Sequence, residues 1–141
     1  MNDEQLLNMI MKNSEMGCIG IDSVIKHTEN VNLIHSLSSQ RKEYDSIYRE
    51  ALEKLSQKNY KPEHPGKTAV ISSEIMSFVK TAADDSPSKI AEMMINGSTM
   101  GVTKITKGIS GYSGKNKNIT SLADKLLKTE QNNIEEMKRF L

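Results

Sequence analysis

Residues 30–59 read NVNLIHSLSSQRKEYDSIYREALEKLSQKN, and this stretch decides the fold class. Apolar side chains recur in it at intervals of three and four residues, which is the spacing of one face of an α-helix. Asn30 can cap the start of this helix, and the pattern ends at Asn59. The stretch therefore predicts one long amphipathic helix. Its apolar face consists of Ile34, Leu37, Tyr44, Ile47, Tyr48, Leu52 and Leu55.

The segment before this stretch has the same helical spacing. Asn2 and Gln5 are three residues apart, as in a capping box, which predicts that a helix begins there and runs to about Thr28. Because only a short turn separates this helix from the next, the two are expected to form an antiparallel hairpin. The apolar face of the first helix consists of Leu7, Met11, Cys18, Ile21 and Ile25.

After residue 59 the chain becomes irregular and then helical again. Pro62, Pro65 and Gly66 exclude a continuous helix over residues 59–67, and we expect these residues to cross an end of the bundle. The pattern after this loop predicts a shorter helix over 68–83. A long helix is then expected to start at Ser86 and Pro87 and to end near Gly111. A polar loop over 113–118 and a last helix from Ile119 to the C-terminus complete the prediction.

The composition favours helices alone. Aromatic residues make up 4% of the chain, and β-branched residues nowhere alternate with polar ones over the length of a strand. The sequence therefore predicts an all-α fold with a single domain over residues 1–141. This is an up-down four-helix bundle whose long central crossover carries an additional shorter helix. In its length, helix pairing and single long crossing, this arrangement resembles the ferritin-like group, in which one extended connection joins two helical hairpins.

The charge and cysteine content exclude several classes of protein. The 19 basic and 18 acidic residues give a net charge of +1, so we expect neither a nucleic-acid partner nor an acidic tail. We expect no membrane span, because no window holds 18 consecutive apolar residues. We also expect no signal peptide, because the first residues are acidic rather than basic. The single cysteine, Cys18, excludes an intramolecular disulfide, so a cytoplasmic setting is expected.

Polar residues interrupt the apolar faces at a comparable height on all four long helices. We interpret them as a hydrogen-bonded core layer in which Arg41 pairs with Glu130 or Glu15, because a buried charge requires a partner. Such a layer fixes the register of the helices. Its predicted members are Ser14, Glu15, Gln40, Arg41, Ser98, Glu130 and Asn133.

Two stretches carry a closer resemblance. Residues 88–101, SKIAEMMINGSTMG, and residues 126–134, LLKTEQNNI, resemble small ferritin-like proteins of clostridia and related Firmicutes, a group without an established activity. The resemblance covers nearly the whole chain. It implies the ferritin-like fold more firmly than it implies a role.

The di-iron ligands of ferritin-like proteins are mostly missing from this chain. Those proteins use a Glu from each of two helices and a Glu-x-x-His motif from each of the other two. Here Asn133 replaces the His that would follow Glu130, Gly97 and Ser98 stand where a Glu is needed, and Arg41 would repel a cation. The site is therefore interpreted as degenerate, and no metal or other cofactor is expected.

The expected function is a non-catalytic structural or protein-interaction module, since no catalytic constellation is complete. A homodimer is the expected assembly, with neither nucleic acid nor membrane as a partner. One alternative is a residual iron protein linked to oxidative stress or iron handling, with Glu15, Glu43, Glu130 and Asn133 as candidate ligands. Another alternative is a small-ligand pocket under the glycine-rich helix.

Four glycines within the predicted helices are a further signal. Each costs roughly 1 kcal/mol of helix stability relative to alanine, so their presence predicts close packing between helices. These residues are Gly17, Gly20, Gly97 and Gly101. His64 lies in the proline-containing loop, and the sequence identifies no partner for it.

Overall fold

The computed structural model describes residues 1–64 and 86–141, and these residues form four α-helices and no strand. The all-α prediction and the four long helices are thereby confirmed for this part of the chain. The shorter helix predicted over residues 68–83 lies outside the described residues. The helices are α1 (Asp3–Ile25), α2 (Val31–Gln57), α3 (Pro87–Gly111) and α4 (Lys117–Met137), and a 3-10 turn (Lys138–Phe140) follows α4.

Polar side chains cap the starts of α1, α2 and α3 as their sequence patterns predicted. The Asn2 side chain accepts a hydrogen bond from the Gln5 backbone, and the Gln5 side chain accepts one from the Asn2 backbone, each at 2.9 Å. The capping box is therefore confirmed. Asn30 caps α2 and Ser86 caps α3, with Pro87 at the first helical position. A cap of this kind contributes about 1 kcal/mol.

The contacts at one end of the bundle define the direction of each helix. At the start of α1, the Asp3 carboxylate accepts hydrogen bonds from Lys58, just after α2, and from Tyr112, just after α3. Tyr112 also accepts a hydrogen bond from the Asn116 backbone at the start of α4. α1 and α4 therefore begin at the end where α2 and α3 finish. Consequently α2 and α3 run in the same direction, and the chain between them joins opposite ends of the bundle.

One apolar core contains residues from all four helices. Its close packing shows at Gly108 of α3, where a Cβ atom would lie 2.5 Å from the sulfur of Met9 and 3.3 Å from Leu6. Burying side chains of this size is the main favourable contribution to folding. The largest fully buried side chains are those of Leu6, Leu7, Ile10, Met11, Ile21, Leu33, Leu37, Ile47, Leu55, Ile90, Ile105 and Ile119.

The residues after α2 follow α1 rather than crossing an end of the bundle. The Asn8 side chain donates to the Lys61 carbonyl at 3.3 Å and accepts from the Glu63 backbone at 2.8 Å. Two turns further along α1, Glu15 contacts His64. The expectation that this segment crosses an end is therefore wrong for residues 61–64. Asn8 satisfies backbone groups of the passing chain, which fixes its path along the helix.

None of the described helices is both long enough and apolar enough to cross a membrane.

Candidate buried polar site

Five polar side chains from α2, α3 and α4 are buried inside the bundle, and we call them the polar cluster. Each is between 2% and 4% exposed. The hydroxyl groups of Tyr44 and Ser98 lie 3.5 Å apart, and the Glu130 charge raises the pKa of Tyr44. The polar cluster consists of Gln40, Tyr44, Ser98, Glu130 and Asn133.

Helix geometry places these side chains on facing surfaces. Gln40 and Tyr44 are four residues apart on α2, and Glu130 and Asn133 are three apart on α4, so each pair shares one helix face. α2 and α4 run in opposite directions. The turn of α2 before Tyr44 is therefore level with the turn of α4 after Glu130, which brings Gln40 to the height of Asn133.

Two glycines make room for the polar cluster. A Cβ atom at Gly101 would lie 2.8 Å from Cδ and Oε2 of Glu130, and a Cβ at Gly17 would lie 2.7 Å from three ring carbons of Tyr44. These distances are too short for any real Cβ contact, so a side chain at residue 17 would force the Tyr44 ring to move, and one at residue 101 would displace the end of the Glu130 side chain. Gly20 and Gly97 have no atom within 4 Å of such a Cβ in the described part of the chain. The predicted close packing thus applies to two of the four glycines, and their neighbours are side chains.

Burial changes the acid-base behaviour of the cluster. Removal from water raises the pKa of Glu130 to about 7, and hydrogen bonding to Tyr44 and Ser98 lowers it by a smaller amount. Burial, and next the nearby Glu130 charge, raise the pKa of Tyr44 far above its ordinary range. Glu130 is therefore the member that gains and loses a proton near neutral pH, while Tyr44 stays protonated.

Several atoms of the cluster lack a hydrogen-bond partner among residues 1–64 and 86–141. They are both side-chain polar atoms of Gln40, Oε2 of Glu130 and Nδ2 of Asn133. No ion pair in this part of the chain includes Glu130. Within the described ranges, the cluster therefore holds a carboxyl group without a cationic partner, surrounded by hydroxyl and amide groups.

The structure corrects the predicted role of Arg41. Its guanidinium donates to both carboxylate oxygens of Asp22, with Nε to Oδ1 at 2.6 Å and Nη2 to Oδ2 at 3.0 Å. The Arg41 side chain is 41% exposed, so the pair lies at the surface. The predicted pairing with Glu130 or Glu15 is therefore wrong. A guanidinium that keeps part of its hydration and binds a carboxylate through two bonds avoids the free-energy cost of burial.

Glu15 also lies outside the polar cluster. Its Oε2 is 3.0 Å from Nδ1 of His64, and its side chain is only partly buried. This contact supplies the partner for His64 that the sequence did not identify. Ser14 is buried as predicted, but its hydroxyl donates to the carbonyl groups of Ile10 and Met11 in its own helix. Glu15 and Ser14, which were both predicted members of the polar core layer, therefore lie outside the polar cluster.

The candidate metal ligands do not converge. Glu43 lines a surface groove of about 430 Å³ between α2 and α4, which Asp124 and Lys128 also line. Of the four candidates, only Glu130 and Asn133 share the cluster. No group of three or more His, Cys, Asp and Glu side chains that could hold a metal ion occurs among the described residues. A di-iron centre needs several carboxylates and imidazoles, and this donor set does not fit one.

Tyr44 is the member of the cluster that the sequence analysis missed. Its spacing within α2 placed it on the apolar face, and the ring does pack there. The hydroxyl at the far end of the ring still requires a polar neighbour when buried. The four-residue spacing between Gln40 and Tyr44 was the available signal, because it places two polar groups on the same face.

Cys18 is not activated as a nucleophile. Burial raises the pKa of its thiol to about 11, and Sγ lies 3.9 Å from the Arg41 carbonyl. A thiol with this pKa stays protonated at neutral pH and reacts slowly. Cys18 therefore acts as a small buried apolar residue.

Comparisons of the chain with protein-family models, with curated proteins and with solved structures gave no match. The resemblance to the ferritin-like group stays a prediction.

Proposed function

We propose that this chain is a non-catalytic four-helix bundle of the ferritin-like type that serves as a structural or protein-interaction module. In place of a di-iron centre it has a polar core layer. The observation that carries this proposal is the composition of the polar cluster, in which Glu130 is the one acidic side chain and hydroxyl and amide groups surround it. Such groups hydrogen-bond a carboxyl group but supply neither the charge nor the imidazoles of an iron centre.

The helix directions support the ferritin-like part of the proposal. α1 and α4 start at the same end, and α2 and α3 finish there, as the contacts of Asp3 indicate. Two hairpins joined by a connection between opposite ends of the bundle is the arrangement of that group.

The polar cluster supports a structural role. Its members come from three helices, so a shift of one helix along another would separate Glu130 from Tyr44 and Ser98. A buried polar group that loses its partners costs about 1–3 kcal/mol. We therefore expect the cluster to favour one register of the bundle over its alternatives.

A homodimer in the cytoplasm remains part of the proposal. Met100 is 53% exposed on α3, and Gly97 lies three residues before it on the same face. This smooth, partly apolar surface supports contact with a second copy, and the single cysteine supports a reducing compartment. Sedimentation equilibrium should give twice the chain mass, and Met100→Lys should give the mass of one chain. A monomeric wild type would contradict the dimer.

The test of the proposed function is metal binding. The protein is purified without chelator and analysed for bound elements, then offered ferrous iron anaerobically while its melting temperature is measured. We expect no stoichiometric metal and no change in melting temperature. The residual iron protein predicts near-stoichiometric iron and a higher melting temperature. A ligand at 100 times its Kd stabilises the folded state by about 2.7 kcal/mol, which is readily measured.

A further inference from the structure

The unpartnered atoms of the polar cluster share one chemical feature, which is that donors and acceptors occur together. Gln40 carries both an unpaired N–H donor and an unpaired oxygen acceptor. Asn133 adds a donor and Glu130 adds an oxygen in the described part of the bundle. Because both ends of the Gln40 amide are unpaired, this mixture is the same whichever way the amide is turned.

This mixture selects the class of molecule that the cluster can bind. A cation would face the N–H groups of Gln40, and an anion would face the carboxyl group of Glu130. A molecule that both donates and accepts hydrogen bonds matches all of these groups. Water is the smallest such molecule, and buried water characteristically makes about three hydrogen bonds to otherwise unsatisfied polar groups.

The surroundings of Glu130 also favour an uncharged ligand, because the described groups around its carboxyl group are themselves uncharged. After burial, the groups of the described residues that influence its pKa are the hydroxyls of Tyr44 and Ser98. Arg41, the cation that the sequence analysis paired with Glu130, is held by Asp22 at the surface. Gly101, which faces the carboxyl group from α3, contributes no charge.

We propose that the polar cluster is an internal water-binding site in which ordered water connects Gln40 and Asn133 to the Glu130 carboxyl group. The positions of these residues on the helices support it. Gln40 is level with Asn133 across the α2 and α4 interface, and Glu130 lies one turn away on α4. The proposal goes beyond the structural role proposed above, because it names the molecule that the core holds.

Magnetic relaxation dispersion of water ¹⁷O tests the proposal on the full chain, because it detects water that stays bound while the protein tumbles. Water cross-peaks at the Gln40 and Asn133 side-chain amides then give the location. We expect the wild type to show long-lived water with cross-peaks at both amides. Gln40→Leu should lose at least one such water molecule and the cross-peak at Asn133.

Two neighbouring asparagines provide a matched control. Asn133 is buried and Asn132 is exposed, so Asn133→Ala should remove the cross-peak at Gln40, whereas Asn132→Ala should leave it unchanged. A wild type without long-lived water would overturn the proposal, even if the core variants do not fold. Retention of the full signal in Gln40→Leu and Asn133→Ala would also overturn it. Neither result depends on metal analysis, so failure here is distinguishable from failure of the proposed function.

Discussion

The carboxyl group of Glu130 packs directly against the backbone of Gly101, so that a Cβ atom at residue 101 would lie 2.8 Å from Cδ and Oε2. A glycine in the middle of α3 thus provides the space for the one acidic side chain of the polar cluster. The same relationship holds on α1, where Gly17 provides the space for the Tyr44 ring. These two contacts explain why residues that weaken helices occur inside them.

Gly101→Ala should destabilise the protein. Alanine improves helix propensity by about 1 kcal/mol, but its methyl group displaces the buried Glu130 carboxyl group from its hydrogen bonds with Tyr44 and Ser98. We expect a net loss of about 1 to 3 kcal/mol in the free energy of unfolding, measured by urea denaturation. Gly20→Ala on α1 is the control, because a Cβ atom there has no atom within 4 Å in the described part of the chain, and it should stabilise the protein. Equal stability of the two variants would contradict the packing of Glu130 on Gly101.

Gly17→Ala should destabilise the protein for a different reason. The added methyl group would overlap the Tyr44 ring, which is rigid and fully buried, so the ring must move and its hydroxyl must leave Ser98. We expect a loss of about 1 to 3 kcal/mol, again from urea denaturation. Gly20→Ala, on the same helix and without a near neighbour among residues 1–64 and 86–141, serves as the control. If Gly17→Ala proves as stable as the control, the ring does not occupy this position.

The free energy of unfolding should fall as pH rises from about 4.5 to about 7. The pKa of Glu130 is raised from its ordinary 4.5 to about 7, so between these values the folded state binds a proton that the unfolded state has released. The free energy of unfolding therefore decreases as pH rises through this window. Above about pH 7, Glu130 causes no further change in the free energy of unfolding. The full effect is about 3 kcal/mol, since one pKa unit corresponds to about 1.4 kcal/mol.

Paired variants isolate this pH effect. Glu130→Gln should abolish it, because the amide is neutral at every pH and keeps the shape of the side chain. Glu43→Gln, at an exposed position of α2, should leave the effect intact. Unfolding is followed by urea denaturation at several pH values between 4.5 and 8. An unchanged slope in Glu130→Gln would show that another group is responsible.

Arg41→Met should change stability by at most about 1 kcal/mol, because its pair with Asp22 is exposed and such pairs contribute little. A buried pair would cost about 3–5 kcal/mol when one partner is removed. A double-mutant cycle with Asp22→Asn measures the interaction directly, and denaturation at high salt should reduce it further. A loss of several kcal/mol would show that Arg41 forms a buried ion pair instead.

The sequence predicted local features of the helices correctly, but it did not define which neighbouring polar residue faces the core. The caps at Asn2, Asn30 and Ser86 depend on local spacing, and the sequence predicted each of them correctly. Gln40 and Arg41 were both assigned to the core layer, and only Gln40 is buried. Neighbouring residues in a helix differ by about 100° in direction, so a mixed pattern of polar and apolar residues does not fix which of the two faces inward.

Contacts between distant segments were the other limit. The pairing of Glu15 with His64 joins residues 49 apart, and nothing in the local spacing of either residue indicates it. The role of Tyr44 was missed because its ring and its hydroxyl belong to different environments. Both features depend on the rotation and height of helices relative to one another, which only the packed bundle defines.

The hydrogen bonds of Asp3 have a consequence for the order of folding. The bond from Lys58 closes the open end of the first hairpin, whereas the bond from Tyr112 joins that hairpin to the second one across 109 positions. Contacts between distant residues carry the larger entropic cost of loop closure and slow the reaction that requires them. We therefore expect each hairpin to form faster than the two hairpins associate, an association to which the Asp3–Tyr112 contact belongs.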